Sequence, residues 1–446
     1  MSKAYSRKFK MLLMLVLLNQ AVLYSALFSA VYSALYSRRA QAQSFDEDIK
    51  ISGYLTIGGG KTDAEPLEVS DDPDDIEDQQ NTYLNPPRYV AYADKFILDP
   101  DFNFNIYSKA GLQIDYAIDQ QTQATIQITG RGDVDNFDPD MSWLYISHQL
   151  TSNTTIRAGR FRIPLYYASA FIDVGLAYPW VTPPAEIYTL INMDNMTGVD
   201  LITTHYLGDW VLSVQPYYGS SDFERIQATT IFRNILGITS QLQNDFLTTR
   251  FSWLRYHLDF EAKGDIQKVA DEQRKFLDSI GYADLIDYVD PRDTDVQFLS
   301  FGIEYRHDNT KVISEFARST LERAWSDVDA WYITIGHTLG HYFPHITLAR
   351  HDERNEDKRL PPRTDEFAAE FPALAGASEQ RSWMFHGILD NETTTITLGL
   401  NYQLTATVLL KTEWMRTHND TSTGFYNFAT KDKSNNIYNL ALEAIF

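Results

Sequence analysis

The chain has 446 residues, 60 of them acidic against 38 basic, and a net charge of −22. That balance excludes general nucleic-acid binding, which needs clustered Lys and Arg against phosphates. It contains no cysteine, which excludes both a disulfide framework and anchoring through a lipidated thiol.

In chain order the first element is a leader. Lys3, Arg7, Lys8 and Lys10 precede an apolar run from Met11 to Leu18; a mostly apolar stretch continues to about Tyr36, and Ala40-Gln41-Ala42 has the form of a cleavage site. Residues 1–42 are expected to be a secretory signal peptide, with the mature chain beginning at Gln43. The stretch is long enough for an uncleaved membrane helix, but Asn19, Gln20 and several serines interrupt it. A start at Met11 or Met14 would also account for its length. The leader holds six basic and no acidic residues, so the remainder is six charges more negative than the whole. Beyond it, no run reaches the roughly 20 apolar residues of a membrane-crossing helix.

Residues 43–446 instead repeat short amphipathic segments of period two. Ile49, Ile51, Gly53, Leu55 and Ile57 alternate with Lys50, Ser52, Tyr54 and Thr56. Leu299, Phe301, Ile303 and Tyr305 alternate with Ser300, Gly302 and Glu304, and Ile396, Leu398 and Leu400 with Thr395, Thr397 and Asn401. Period two is a strand with one oily and one wet face. The pattern predicts strands over 47–58, 103–118, 122–131, 141–149, 154–162, 197–206, 209–218, 245–253, 255–264, 294–307, 310–319, 328–339, 344–353, 391–404, 405–417 and 434–446. The pair flanking Leu254 could also be one bent strand. Short connections, such as Asp119-Gln120-Gln121, Leu207-Gly208 and Asp308-Asn309, alternate with long ones at about 59–102, 132–140, 163–196, 219–244, 265–293, 354–390 and 418–433. Short turns at one end and long loops at the other fit an antiparallel membrane barrel of about 16 strands.

Asp71, Asp72, Asp74, Asp75, Glu77 and Asp78 make the first long loop acidic. It reads as a solvated outer loop; a divalent-cation site is the alternative, without EF-hand spacing. Ile226–Leu242 and Ile266–Ile286 have helical spacing and are expected as short helices in outer loops, and the charged stretch around Pro361-Pro362 as a mobile or lid-like loop. His337, His341, His345 and His351 straddle an expected turn, so they share no helix face and no metal or cofactor site is expected. Arg131-Gly132-Asp133 reads as a chance tripeptide, and the adjacent Ser147-His148 point to opposite faces of a strand, with no Gly-x-Ser-x-Gly elbow to support catalysis.

The richest segment runs from Thr154 to Asp200. It opens TTIRAGRFRIPLYY, carries Pro179-Trp180 and Pro183-Pro184, and closes NMTGVD. Arg160 and Arg162 share a parity and are expected to face the lumen, with Arg157 snorkelling at the periplasmic edge. Asp173, Glu186 and Asp194 are the candidate counter-charges, and Tyr166, Tyr167, Tyr178 and Trp180 the candidate pore-lining aromatics. The chain ends SNNIYNLALEAIF, with Tyr438, Leu440, Leu442, Ala444 and Phe446 on one face and Asn439 and Glu443 on the other.

These two segments resemble the Gram-negative outer-membrane porins, of the general trimeric kind. Residues 154–200 look like that family's fifth strand and third loop, and the tail, through Tyr438, Leu440, Leu442 and Phe446, like its C-terminal assembly signal. The loop departs from the family in lacking a short acidic tip. The resemblance implies an all-β barrel in the outer membrane, with the third loop (163–196) folded inward as a constriction. It also implies a homotrimer, insertion by the barrel-assembly machinery, lipid and lipopolysaccharide neighbours, and passive passage of small hydrophilic solutes and ions. A channel specific for sugars, oxyanions or dicarboxylates is the alternative, and a barrel enzyme a more distant one. The acidic chain suggests modest cation preference.

Overall fold

The structure, a computed structural model, describes residues 48–63, 91–92, 96–97, 101–132, 137–191, 193–224, 228–290, 292, 294–323, 327–355, 361, 363–372, 392–420 and 433–446. The signal peptide, its cleavage site and the acidic run Asp71–Asp78 lie outside these residues. Ile51–Phe446 forms one compact unit; of the short unit before it only Asp48–Lys50 is described, as the start of the first strand.

Sixteen antiparallel strands close into a barrel: β1 (Ile49–Thr62), β4 (Lys109–Ala117), β5 (Thr122–Gly132), β6 (Phe137–Thr151), β7 (Thr154–Arg162), β8 (Asn195–Leu207), β9 (Trp210–Glu224), β10 (Ala228–Gln243), β11 (Leu247–Ala262), β12 (Thr294–His307), β13 (Thr310–Leu321), β14 (Asp327–His337), β15 (Tyr342–Arg354), β16 (Thr393–Thr405), β17 (Val408–Asn419) and β18 (Ser434–Ile445). Each pairs with its neighbour, and β1 returns to β18 from Tyr54↔Ile445 to Thr62↔Ile437. β2 (Ala91–Tyr92) and β3 (Phe96–Ile97) form a separate two-stranded sheet. The first and last barrel strands are stitched at the chain end, where Gly53 N–H donates to Phe446 O at 2.9 Å and Phe446 N–H to Gly53 O at 3.0 Å.

The two faces are inverted relative to a water-soluble sheet. Ile333, Ile335, Ile346, Ile396, Leu398 and Leu400 are exposed, whereas the alternating Thr334, Thr347, Thr395 and Thr397 are buried. Oil outside and polar groups inside is the arrangement that hydrocarbon selects. The tail obeys it: Tyr438, Leu442 and Phe446 point outward and Asn439 and Glu443 inward.

The strand count matches the sequence reading through two compensating differences. Leu254 is not a turn; it is a fully buried inward residue in the middle of β11. The segment expected as a helix near 226–242 is β10. Its register shifts between Arg233 and Leu236, with Asn234 at φ 52°. This bulge puts Phe232 and Ile235, three residues apart, on the same inner face, which imitates helical spacing. With β9 and β10 continuing outward, the long connection expected at 219–244 shrinks to 225–227, and that at 132–140 to 133–136. The expected loop helices near 266–286 are present, at Gly264–Ser279 and Ala283–Val289. The Pro361 region contains a further helix, Thr364–Glu370, whose Phe367 packs with Tyr282 and Leu285.

The two-face assignment makes a quantitative prediction. Leu398→Arg, in the middle of the outer face of β16, should lower stability by about 2–4 kcal/mol in urea titrations in lipid vesicles. Gln113→Arg, on the inner wall, should cost less than about 1 kcal/mol, and equal losses would reject the assignment.

Candidate functional site

Segment 163–194 leaves β7, the fifth barrel strand, and does not return outward. Its hydrogen bonds go to inward side chains around most of the wall. Pro164 O accepts from Thr239 (2.8 Å), Arg250 (3.1 Å) and Ser252 (3.1 Å), and Leu165 O from Ser300 (2.8 Å). Tyr167 N–H donates to Glu315 at 2.9 Å. The chain then meets the opposite wall, where Lys109 Nζ donates to Ile172 O at 3.0 Å. Two short 3₁₀ turns, Ser169–Phe171 and Gly175–Ala177, and the helical turn Ala185–Tyr188 make the reversals.

Lys411 on β17 organises the centre of this path. Its ammonium is fully buried and donates to Gly175 O (2.7 Å), Tyr178 O (2.8 Å) and Trp180 O (2.6 Å), with Glu443 at 3.0 Å. Glu413, two residues along the same inner face, accepts from Val181 N–H at 3.0 Å, and Asn401 donates to Pro179 O at 2.9 Å. Gly175 has no side chain because a Cβ there would meet the Glu443 carboxylate.

The charged residues of the segment sort differently from the sequence expectation. Arg162 points inward as expected: it is buried and reaches Asp173 at 2.6 Å and Asp194 at 3.7 Å. Asp173 is shared with Arg131, at 2.8 Å. Burial alone would raise the Asp173 carboxyl, but Arg131, Arg162 and Lys109 around it hold it well below the usual carboxylate range. Arg160 does not face the lumen. Its Nε donates to Met141 O at 2.9 Å on the outside, beside Asp140 at 3.7 Å. Arg157, expected at the edge, is the inward one: Nε donates to Asp200 at 3.0 Å and the guanidinium lies over the Tyr145 and Phe161 rings. Ile156 and Ala158, exposed on Arg160's face, and Asp200, directly opposite Arg157 in register, are the signals that set this parity. Gly159, at φ 135°, marks the irregular strand end where a side chain would be strained.

Glu186 is not with the arginines. Its residue is 1% exposed on the far side of the lumen, its carboxylate has the Thr395 hydroxyl as its one side-chain donor among the described residues, and its backbone O accepts from His351 Nδ1 at 3.0 Å. Burial pushes its carboxyl up to about 7.

The candidate aromatics seal rather than line. Tyr166, Tyr178 and Trp180 are buried. Trp180 Nε1–H is shared between Thr334 and Thr347 at 3.0 Å each. Tyr166 stacks edge-on against Phe298, and Tyr167 donates its hydroxyl to Glu304. They meet an apolar inner wall from β9 to β15 that includes Tyr217, Leu254, Phe298, Ile313 and Tyr332. The inner faces of β4 to β6 are polar and partly open at Gln113, Asp115 and Ser147. Sequence reasoning missed Lys109, Arg131, Lys411, Glu413 and Glu443. Lys411 and Glu413 were findable, since they alternate with the outward Val408, Leu410 and Trp414 and so fall on the inward parity.

No protein-family model matches the sequence, and no curated protein does. Solved structures do match. The anion-selective porin from Comamonas acidovorans aligns with a TM-score of 0.50 at 11% identity, covering 89% of this chain and 99% of that one. The outer membrane channel DcaP of Acinetobacter baumannii aligns at 0.50 and 10%, covering 90% and 97%. The fold is that of the outer-membrane porins.

Asp173 gives the prediction for this site. Among the described residues, Asp173→Ala leaves buried Arg162 with only the half-exposed Asp194 at 3.7 Å, and should destabilise the folded barrel by roughly 3 kcal/mol in urea equilibrium experiments. Because its folded carboxyl is depressed, the native tether's contribution is present above the unfolded value of about 3.9 and is lost only as pH falls through the lower folded value. Arg160→Ser should stay within about 0.5 kcal/mol.

Proposed function

We propose that this chain is an outer-membrane porin through which small hydrophilic solutes and ions diffuse passively. It is exported through cleavage of residues 1–42 and inserted by the barrel-assembly machinery reading Tyr438, Leu440, Leu442 and Phe446. It works as a homotrimer among outer-membrane lipids and lipopolysaccharide. Segment 163–194 is its constriction. The observation that carries this reading is the charge cluster where segment and wall meet: Lys109, Arg131 and Arg162 around Asp173, with Asp194 half exposed beside Arg162. Solutes pass along the polar inner faces of β4 to β6 and past this cluster, because the β9–β15 side is sealed by the apolar packing of the loop.

Three cations against two carboxylates make this cluster locally positive although the chain is acidic, with Asp115 further along the same passage. Charges on outer loops are screened beyond about 8 Å at physiological salt, whereas opposed charges in a narrow lumen are not. The local balance therefore supports weak anion preference, in place of the cation preference suggested by composition. The same convergence favours a second reading, a channel selective for phosphate-like oxyanions or dicarboxylates. Sugar specificity is less well supported, since the aromatics that would provide a sliding surface are packed away.

Planar-bilayer recordings in a KCl gradient test this. Wild type should give a small reversal potential of anion sign, the Arg131→Ser/Arg162→Ser double variant should move it toward cations, and Arg160→Ser should leave it unchanged. A strongly cation-selective wild type, unmoved by the double variant, would remove the constriction assignment. Saturation or block by phosphate or a dicarboxylate separates the selective channel from the general one.

A further inference from the structure

Where the far side of segment 163–194 meets β15, β16 and β17, a void of about 10 Å³ remains, lined by Trp180, Thr182, Glu186, Thr395, Thr397 and Glu413 among others. It has room for roughly one water molecule. Two of its lining residues carry under-used polar atoms: among the described residues neither carboxylate oxygen of Glu186 makes a well-formed hydrogen bond, the Thr395 hydroxyl beside it is its one side-chain donor, and both residues are almost wholly buried. Glu186 sits on the helical turn Ala185–Tyr188, so whatever state it adopts is transmitted to the backbone of the loop.

We propose that Glu186 is a proton-operated latch: protonated, it lets the turn Ala185–Tyr188 stay docked on the β14–β15 wall beside this void, and ionised, it releases that half of the loop. A protonated carboxyl brings an O–H donor that the Thr395 oxygen can accept, and no charge. An ionised one is a charge in a nearly dry pocket with only the Thr395 hydroxyl and a backbone N–H to favour it, and most of its solvation is regained by leaving the wall. The charged and titratable groups facing it do not relieve this. From β17, Glu413 lines the same void with a second carboxyl, which accepts from Val181 N–H and offers no cation. Lys411, further along β17, is engaged by three loop carbonyls and by Glu443 of β18. From β15, His351 binds the backbone oxygen of Glu186, and Glu353 lies two residues beyond on the same inner face; β14, which the turn also packs against, brings the buried Tyr332 beside Tyr188. Burial raises the carboxyl from 4.5 to about 7. For a raised acid the docked state's advantage is complete below the unfolded value and fades as pH climbs through the folded one. Release therefore develops between pH values of about 4.5 and about 7 and is complete above that interval. It spares the Asp173 end of the loop, whose carboxylate is stabilised in its ionised form.

The chain has no cysteine, so a single nitroxide can be placed through Thr189→Cys, one turn from Glu186. In the full-length protein in lipid vesicles, the spin label should be immobile at about pH 5 and gain a mobile component on titration to about pH 9. Glu186→Gln, an isostere of the protonated acid, should abolish that component at every pH. Glu413→Gln should keep it. A wild-type spectrum indifferent to pH, an unchanged response in Glu186→Gln, or loss of the response in Glu413→Gln would each overturn the latch. Recovery of immobility on adding Na⁺ or Ca²⁺ at fixed alkaline pH would also overturn it, in favour of a metal-ion site. Conductance should rise over the same pH range; that arm rests on the channel reading, whereas the spin-label arm does not, so the two can fail separately.

Discussion

The structure follows from closure of its sheet. Within hydrocarbon no water is present to accept or donate, so each backbone N–H and C=O of a spanning strand must find a partner in the protein. Pairing β1 with β18 removes both edges at once and leaves a wall with an oily outside and an enclosed inside. That enclosed space can hold polar and charged side chains at low cost only where water or matched partners accompany them. The positions facing it, from Thr395 and Thr397 to Lys411, Glu413 and Glu443, have the polarity this requires.

Placing a connection inside the barrel repeats the same problem on a smaller scale. Segment 163–194 contains only short helical turns and no strand pairing of its own, so many of its carbonyls need side-chain donors. Lys411 supplies three of these bonds from one ammonium, and Glu443 balances its charge. An ammonium has three hydrogens, so the site is saturated. The segment's apolar side chains solve the other half of the problem by packing on Leu254, Phe298, Ile313 and Tyr332. The loop is held by chemistry that differs on its two sides: dispersion and desolvation against β9–β15, ion pairs against β5 and β7.

Much of the fold was legible because its signal is local and periodic. The alternation in Ile396–Leu400 or Tyr438–Phe446 depends only on which side of a strand meets lipid, and the structure has the same parity. The failures come from places where parity breaks. At Asn234 a bulge inserts one residue and turns period two into an apparent helical spacing. At Arg162 the strand ends, so a residue of outward parity swings inward while Arg160 stays out. Counting along β7 alone could not separate those arginines; the partner strand, with Asp200 opposite Arg157, could. The contacts of the inner loop were illegible for a different reason. Trp180 meets Thr334 and Thr347, and Val181 meets Glu413, at sequence separations that no periodicity encodes. Arg131 gave no warning, since the end of β5 reads as a polar turn until Asp173 is placed beside it.

Two acids on one loop illustrate how far environment outweighs residue type. Asp173 and Glu186 are both buried, and desolvation pushes both carboxyls upward. At Asp173 the arginines reverse that push, so the anion is the stable form and the contact tightens by being charged. At Glu186 no such cation is brought near, and the proton is what makes burial tolerable. A loop fixed by two like-behaving anchors would respond to pH as a unit. Anchors of opposite preference divide it into a half that stays put across the physiological range and a half whose docking depends on the proton, and the hinge between them falls where Lys411 grips the carbonyls of Gly175, Tyr178 and Trp180.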